Sequence, residues 1–251
     1  MSRASLAILG LLFAFTVAAD PVNFQSSSRR TSLLELYTSE GCSSCPPAEI
    51  CLSRLKTAPG LWADFVPVAF HVDYWDYLGW TDKWAQREFS NRQRSYARAW
   101  SAGGVYTPGF VLNGNEWRNW SARAALPPAA TDKPGVLRAT SEDAIHWQVS
   151  FVPAMAGDSS YEVHAAVLAC ELNSDVKAGE NAGRHLEHDF AALKLISTAL
   201  TQQGETFNGT FDLDAHLKSG DGKPALAIWL TRTGSIEPLQ AAGGWISNTA
   251  K

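Results

Sequence analysis

No excess of positive charge is available to attract nucleic acid. The chain sets 21 Lys and Arg against 25 Asp and Glu, a formal net charge of -4 over 251 residues, so phosphate backbones meet no favourable global field. Beyond the first 19 residues, no apolar run approaches the roughly 20 residues that a membrane-spanning helix needs. Internal repeats are also lacking. The length and a hydrophobic fraction of 45% fit one large packed domain or two modest ones. Cysteine is scarce, with four residues in all, and that makes each of them informative.

What is present begins with a leader. Arg3 precedes an apolar stretch from Leu6 to Ala19, interrupted by Gly10 and Thr16 and closing on Val17, Ala18 and Ala19. A basic start, a short apolar region and small closing residues predict a secretory signal peptide over residues 1–19, with an uncleaved anchor as the alternative. Export, to the periplasm in a bacterium, places the protein where disulfides persist, so the cysteines are expected to pair.

Residues 20–31, polar and rich in Ser, read as a flexible lead. A mostly apolar strand, "SLLELYT", starts at Ser32 and runs directly into "GCSSCPP". Ile50, Leu52 and Leu55 then recur at helical spacing. "FVPVAFHVDY" is a second strand, and Trp84, Phe89, Tyr96 and Trp100 mark a helical, aromatic insertion. Thr107 and Pro108 precede a third strand that ends in an Asn113-Gly114 turn, the residue pair of a tight hairpin. The Pro-containing stretch at 127–135 is the expected linker. Beyond it, residues 136–251 hold runs such as "IHWQVSFV", "YEVHAAVLACEL" and "ALAIWLTR", separated by turn residues, and these predict a β-rich, sandwich-like domain.

Two cysteines at the head of a helix have a chemistry open to them. The helix N-terminus offers unsatisfied amides and a partial positive charge, which stabilise a thiolate. Cys42 is then the expected nucleophile on a disulfide and Cys45 the residue that resolves the mixed disulfide, with Ser43 and Ser44 between them as hydroxyl donors. Pro46 and Pro47 fit the first turn, so the regular helix is expected to begin near Cys45, leaving Cys42 exposed on the loop ahead.

A strand running into Cys-x-x-Cys, with Thr107-Pro108 before a later strand, resembles the thioredoxin fold. More closely, "LLELYTSEGCSSCPPAE", "HVDYWDYLGWTD", "RQRSYA", "YTPGFVLNG" and "VKAGENAGRHLEHDFAALKL" resemble the DUF1223 family of exported proteins of unknown function. The resemblance implies an α/β fold: a thioredoxin-like N-terminal domain over 32–126, followed by the β-rich domain. It also implies that Pro108 and Thr107 shape a substrate groove facing the cysteines, and that a buried carboxylate beneath the motif, here Glu35, exchanges protons with Cys45.

These residues support thiol-disulfide exchange with protein substrates or a redox partner, which requires no bound organic cofactor and no metal. Each site also has a plainer reading. The Cys42-Cys45 pair could be a staple in a binding module, although so short a loop gains little stability from closure. The two cysteines with His71 could form a copper or zinc site. Glu35 could be half of an ion pair. Tyr74, Trp75 and Trp80, with His71 and Asp73, could line a groove or belong to the core. Cys51 and Cys170 could form a disulfide between the two regions or remain buried thiols. His185 and His188 read as part of a polar loop, and Arg87, Arg92, Arg94 and Arg98 as a solvated helix face.

Overall fold

The computed structural model of the protein describes residues 21–120, 127–157, 160–218 and 220–247. The expected leader over 1–19 lies outside the described residues. The chain opens not with a flexible lead but with a short strand, β1 (Val22–Gln25), paired to a strand far along the sequence. Next come β2 (Ser32–Thr38), the cysteine loop and helix α1 (Pro46–Ser53), with Cys45 as its N-cap and prolines in its first turn, as the sequence predicts. After β3 (Phe65–His71), a short 3-10 turn leads to helix α2 (Arg87–Ala99). The pair β4 (Gly109–Leu112) and β5 (Asn115–Glu116) closes on Asn113 and Gly114, both at positive φ.

Residues 127–134 carry no regular element. The strands then follow in quick succession: β6 (Gly135–Ser141), β7 (His146–Pro153), β8 (Tyr161–Cys170), β9 (Leu172–Asp175) and β10 (His185–His188). The last are β11 (Ala191–Ala199), β12 (Thr201–Gln203), β13 (Thr206–Asp212), β14 (Lys223–Arg232) and β15 (Pro238–Trp245). No helix among the described residues is long and apolar enough to cross a membrane.

The expected α/β, thioredoxin-like N-terminal domain followed by a separate β-rich one is overturned. The described residues form fifteen strands and two α-helices. Strands from both halves of the chain share one eight-stranded sheet in the order β15-β14-β8-β11-β3-β2-β4-β5. The seam is β11, antiparallel to β8 and parallel to β3 through Ala191 and Ala69. A five-stranded sheet, β1-β6-β7-β13-β12, covers one face, so the architecture is a β-sandwich, with the helices on the other face.

Side-chain alternation explains the shared sheet. In β8, Val163, Ala165 and Val167 enter the core beneath the five-stranded sheet, whereas Ala166, Leu168 and Cys170 enter the core on the helical side. In β14, Leu226, Ile228 and Leu230 divide from Ala225, Ala227 and Trp229 in the same way. Strands that are apolar on both faces must be covered twice. The small residues of β15 have the same logic: a Cβ on Gly244 would fall 2.4 Å from Phe24 Cε1, and one on Gly243 would fall 3.1 Å from Trp62 Cε3.

A buried ion pair fastens α2 to this sheet. Arg92 donates through Nε and Nη2 to the two Glu35 carboxylate oxygens at 2.9 and 3.0 Å, and the Tyr37 and Tyr96 hydroxyls donate to the same carboxylate at 2.7 and 2.6 Å. The guanidinium also lies 4.9 Å from the Trp229 ring centre, so β2, α2 and β14 meet at one residue. Arg92 is therefore part of the core rather than of a solvated face. Glu35 is the ion-pair carboxylate of its plainer reading, because all three of its partners, Arg92, Tyr37 and Tyr96, lie on this side of the sheet.

Arg92→Met strands the Glu35 charge, and unfolding by denaturant should show a loss of about 3–5 kcal/mol. The double variant Glu35→Leu/Arg92→Met should recover most of that loss. A double variant as unstable as the single one would contradict the ion-pair account.

Candidate functional site

The cysteine loop is built where β2 ends at the sheet edge and α1 begins. The Cys42 amide donates to Ser39 O at 3.1 Å and the Cys45 amide to Cys42 O at 3.2 Å, while Cys45 O accepts from Ala48 and Glu49. Gly41 packs against Trp75: a Cβ there would lie 2.9 Å from Trp75 Cβ, too close for any other residue without a shift. Both cysteines are present as thiols and both are buried, Cys42 with only 1% of its surface exposed. Cys42 is thus not exposed as the sequence leads one to expect, and a strap that the sequence does not foresee lies against the same loop. Asn181 Nδ2 donates to the carbonyls of Glu40 at 2.8 Å and Cys42 at 2.9 Å, and the Ser43 amide and hydroxyl donate to Glu180 Oε2 at 3.0 and 2.7 Å.

The two sulfurs differ sharply. The Cys45 thiol hydrogen-bonds to Cys42, and this interaction overcomes the opposing effect of burial. Together with the Ser44 and Thr107 hydroxyls and the Ser44 amide, it lowers the Cys42 pKa to about 6. The Cys42 Sγ to Ser44 Oγ distance is 3.2 Å. Burial first, then the Cys42 neighbour, pushes Cys45 far above the ordinary thiol range. Side-chain donors therefore carry much of the stabilisation that the sequence assigns to the helix start, where Pro46 and Pro47 withhold their amides.

Thr107 hydrogen-bonds to the cysteine pair and Pro108 lines a cavity with Ser44, and the bond joining them is cis. The Trp75 indole donates to Thr107 Oγ1 at 2.8 Å, and the Tyr74 hydroxyl donates to Gln93 Oε1 at 3.0 Å. Tyr74 and Trp75 both hydrogen-bond to Thr107. Neither lines the open groove, a cavity of about 420 Å³ whose lining includes Ser44, Thr107, Pro108, Trp117 and Trp120. The two tryptophans are additions that the sequence pattern does not single out.

The carboxylate next to the motif is Glu49, not Glu35. Thr38 Oγ1 donates to Glu49 Oε1 at 2.5 Å, and Thr38 also hydrogen-bonds to Cys45. Glu49 belongs to a buried group. His188 Nδ1 meets Glu49 Oε2, His188 Nε2 lies 3.0 Å from Glu40 Oε1, and His71 Nδ1 lies 2.7 Å from Asp82 Oδ2. Burial opposes a charge on His188, but Glu49 and Glu40 outweigh it and raise the pKa to about 10. Interaction with His71 and the Glu40 and Trp84 amides holds Asp82 below the usual carboxylate range against its burial.

His71 is thus enclosed rather than part of a groove with the cysteines, and Asp73 accepts from Ser90. Trp80 donates to Glu40 Oε2 at 2.6 Å. Cys170 Sγ accepts the Phe190 amide at 3.1 Å, burial raises its pKa to about 12, and no bridge joins it to Cys51. The signal for Glu49 was its place four residues after Cys45 on the helix. Nothing local marked Glu180 or Asn181 as neighbours of a loop nearly 140 residues away.

A crystal structure of a protein from Agrobacterium tumefaciens is similar over 89% of this chain and 96% of that one, at 23% identity and a TM-score of 0.60. HBP35 of Porphyromonas gingivalis is similar over 90% of this chain and 79% of that one, at 15% identity and a TM-score of 0.60. At such identities both likenesses concern the fold alone. No curated protein matches the sequence significantly. The model of one family, described as a protein of unknown function, matches residues 33–231, which include both cysteines of the pair, Thr107-Pro108 and the strap; the chain belongs to the DUF1223 family.

Proposed function

We propose that the protein is an exported thiol-disulfide exchange protein that acts on protein substrates through Cys42 and Cys45. The observation that carries this reading is the asymmetry of the pair. One sulfur is surrounded by donors that favour its thiolate at neutral pH, and the other is buried and held as a thiol. A mere staple has no need of that difference. The groove lined by Trp117, Trp120 and Pro108 beside Ser44 offers apolar surface to an extended peptide.

In the first step the Cys42 thiolate attacks one sulfur of a substrate disulfide. The Cys42–substrate bond forms, the substrate S–S bond breaks, and the other substrate sulfur leaves with the electron pair. Loss of the Cys42 negative charge also removes two of the influences that hold Cys45 protonated. The Cys45 proton passes to the departing substrate sulfur; Cys45 then attacks Cys42 Sγ, the Cys42–substrate bond breaks, and the second substrate sulfur leaves with that electron pair and takes a proton from solvent. The products are a reduced substrate and a Cys42-Cys45 disulfide, with two electrons transferred; the reverse sequence oxidises a substrate dithiol.

Two outcomes check this reading. The rate of Cys42 alkylation by iodoacetamide should rise with pH to a midpoint near 6 and level off above it, because the thiolate is the reacting form. Cys45→Ala removes the main donor, so it should move that midpoint up toward about 8.5; a native midpoint already at that value would refute the assignment. At pH 8 the same Cys45→Ala chain should accumulate a mixed disulfide with a disulfide-bonded substrate protein, visible as a mass adduct that reductant removes. Cys42→Ala should give none, and equal adducts from both variants would count against Cys42 as the nucleophile.

A further inference from the structure

Away from the sulfurs, Glu49, His71 and His188 bring one ligand-type atom each to within 4.8 Å of one another, and all three side chains are buried. Two imidazoles and a carboxylate are donors that zinc accepts in protein sites. Chemistry alone does not make a cluster a site, and two further features of this one do.

The first is the orientation of the rings. His71 uses Nδ1 against Asp82 Oδ2, and Asp82 is fixed as an acceptor by the amides of Glu40 at 2.8 Å and Trp84 at 3.0 Å. That contact places a proton on Nδ1 and leaves the lone pair on Nε2. His71 Nε2 has no hydrogen-bond partner, although the residue is entirely enclosed. A buried ring nitrogen without a partner is costly, and such an atom calls for an explanation. His188 repeats the arrangement with its nitrogens exchanged: Nε2 faces the Glu40 carboxylate and Nδ1 faces Glu49. Each imidazole thus has one outer carboxylate and one nitrogen directed to a common point. This is how outer carboxylates orient metal-bound histidines.

The second feature is charge. Three buried carboxylates, Glu40, Glu49 and Asp82, surround the two rings. With the lone pair on His71 Nε2 and His188 protonated, two of these three negative charges remain unmatched, and unmatched buried charge is costly. A divalent cation that takes the place of the proton between His188 and Glu49 leaves one.

We propose that Glu49, His71 and His188 bind one divalent transition-metal ion, through Nε2 of His71, Nδ1 of His188 and a Glu49 oxygen, with Asp82 and Glu40 orienting the two rings. The site is distinct from a cysteine-based one and does not depend on the redox reading of the thiols. Zn²⁺ is the probe that matches the donor set, and Co²⁺ reports the ligands by its spectrum.

The test uses the full chain with Cys42→Ser and Cys45→Ser, so that thiolates cannot capture the ion. After removal of metal and equilibrium dialysis against micromolar Zn²⁺, this chain should retain one ion per molecule. Its Co²⁺ form should show visible ligand-field bands without the near-ultraviolet thiolate charge-transfer band. His188→Ala should abolish retention. Asp82→Asn, which keeps all three ligands, should weaken retention by about 10–100-fold. Failure of the Cys42→Ser/Cys45→Ser chain to retain stoichiometric Zn²⁺ overturns the proposal, whatever the other variants do. Undiminished retention in a folded His188→Ala chain overturns it as well.

Discussion

One imidazole held between two buried carboxylates positions much of what surrounds the cysteines. His188 sits on β10, far along the chain, yet its nitrogens meet Glu49 of α1 and Glu40 of the loop before Cys42. Groups this deeply buried are tolerable only with their partners in place, so the contact fixes the β9-β10 pair against α1. Asn181 lands on the Glu40 and Cys42 carbonyls, Glu180 lands on Ser43, and the loop that carries the nucleophile candidate is roofed by the second half of the protein.

The same joining of the two halves occurs throughout the sheet. Much of β8 and β14 is apolar on both faces, and the pairing of β11 with β3 lets these strands be covered by the helices on one side and by the five-stranded sheet on the other. The cysteine pair therefore sits on an element rooted in a large core, as a site that must hold sulfur geometry requires.

Local pattern was legible in the sequence and long-range partnership was not. The turn at Asn113-Gly114, the helix start at Cys45 and the strands around Trp147, Ala166 and Ile228 follow from residue type and spacing. β15 was illegible because Ala241, Ala242, Gly243 and Gly244 have weak strand propensity, and the two glycines are there for the close approach of Trp62 and Phe24. The division into two domains failed for a related reason: hydrophobic runs reveal that a strand is buried but not which strand lies beside it. At the site, Cys42, Cys45, Thr107 and Pro108 could be read directly, whereas for Glu35 the sequence left proton exchange with Cys45 and an ion pair both open, and the structure shows the ion pair. Its neighbours are Arg92 and two tyrosines, and the carboxylate coupled to Cys45 through Thr38 is Glu49.

The chemical account rests on a difference between two sulfurs only two residues apart. Donors to Cys42 lower its pKa to about 6, and a stabilised thiolate stabilises the reduced form of the pair, which makes its disulfide more oxidising. The most direct measurement is a redox titration of the purified protein against glutathione buffers, with the dithiol and disulfide forms separated by alkylation and mass. The account predicts one reversible two-electron transition with a potential between about -270 and -120 mV, the interval from thioredoxin to a strong exported oxidant. A pair that stays oxidised until below about -300 mV, the range of structural disulfides, would contradict it.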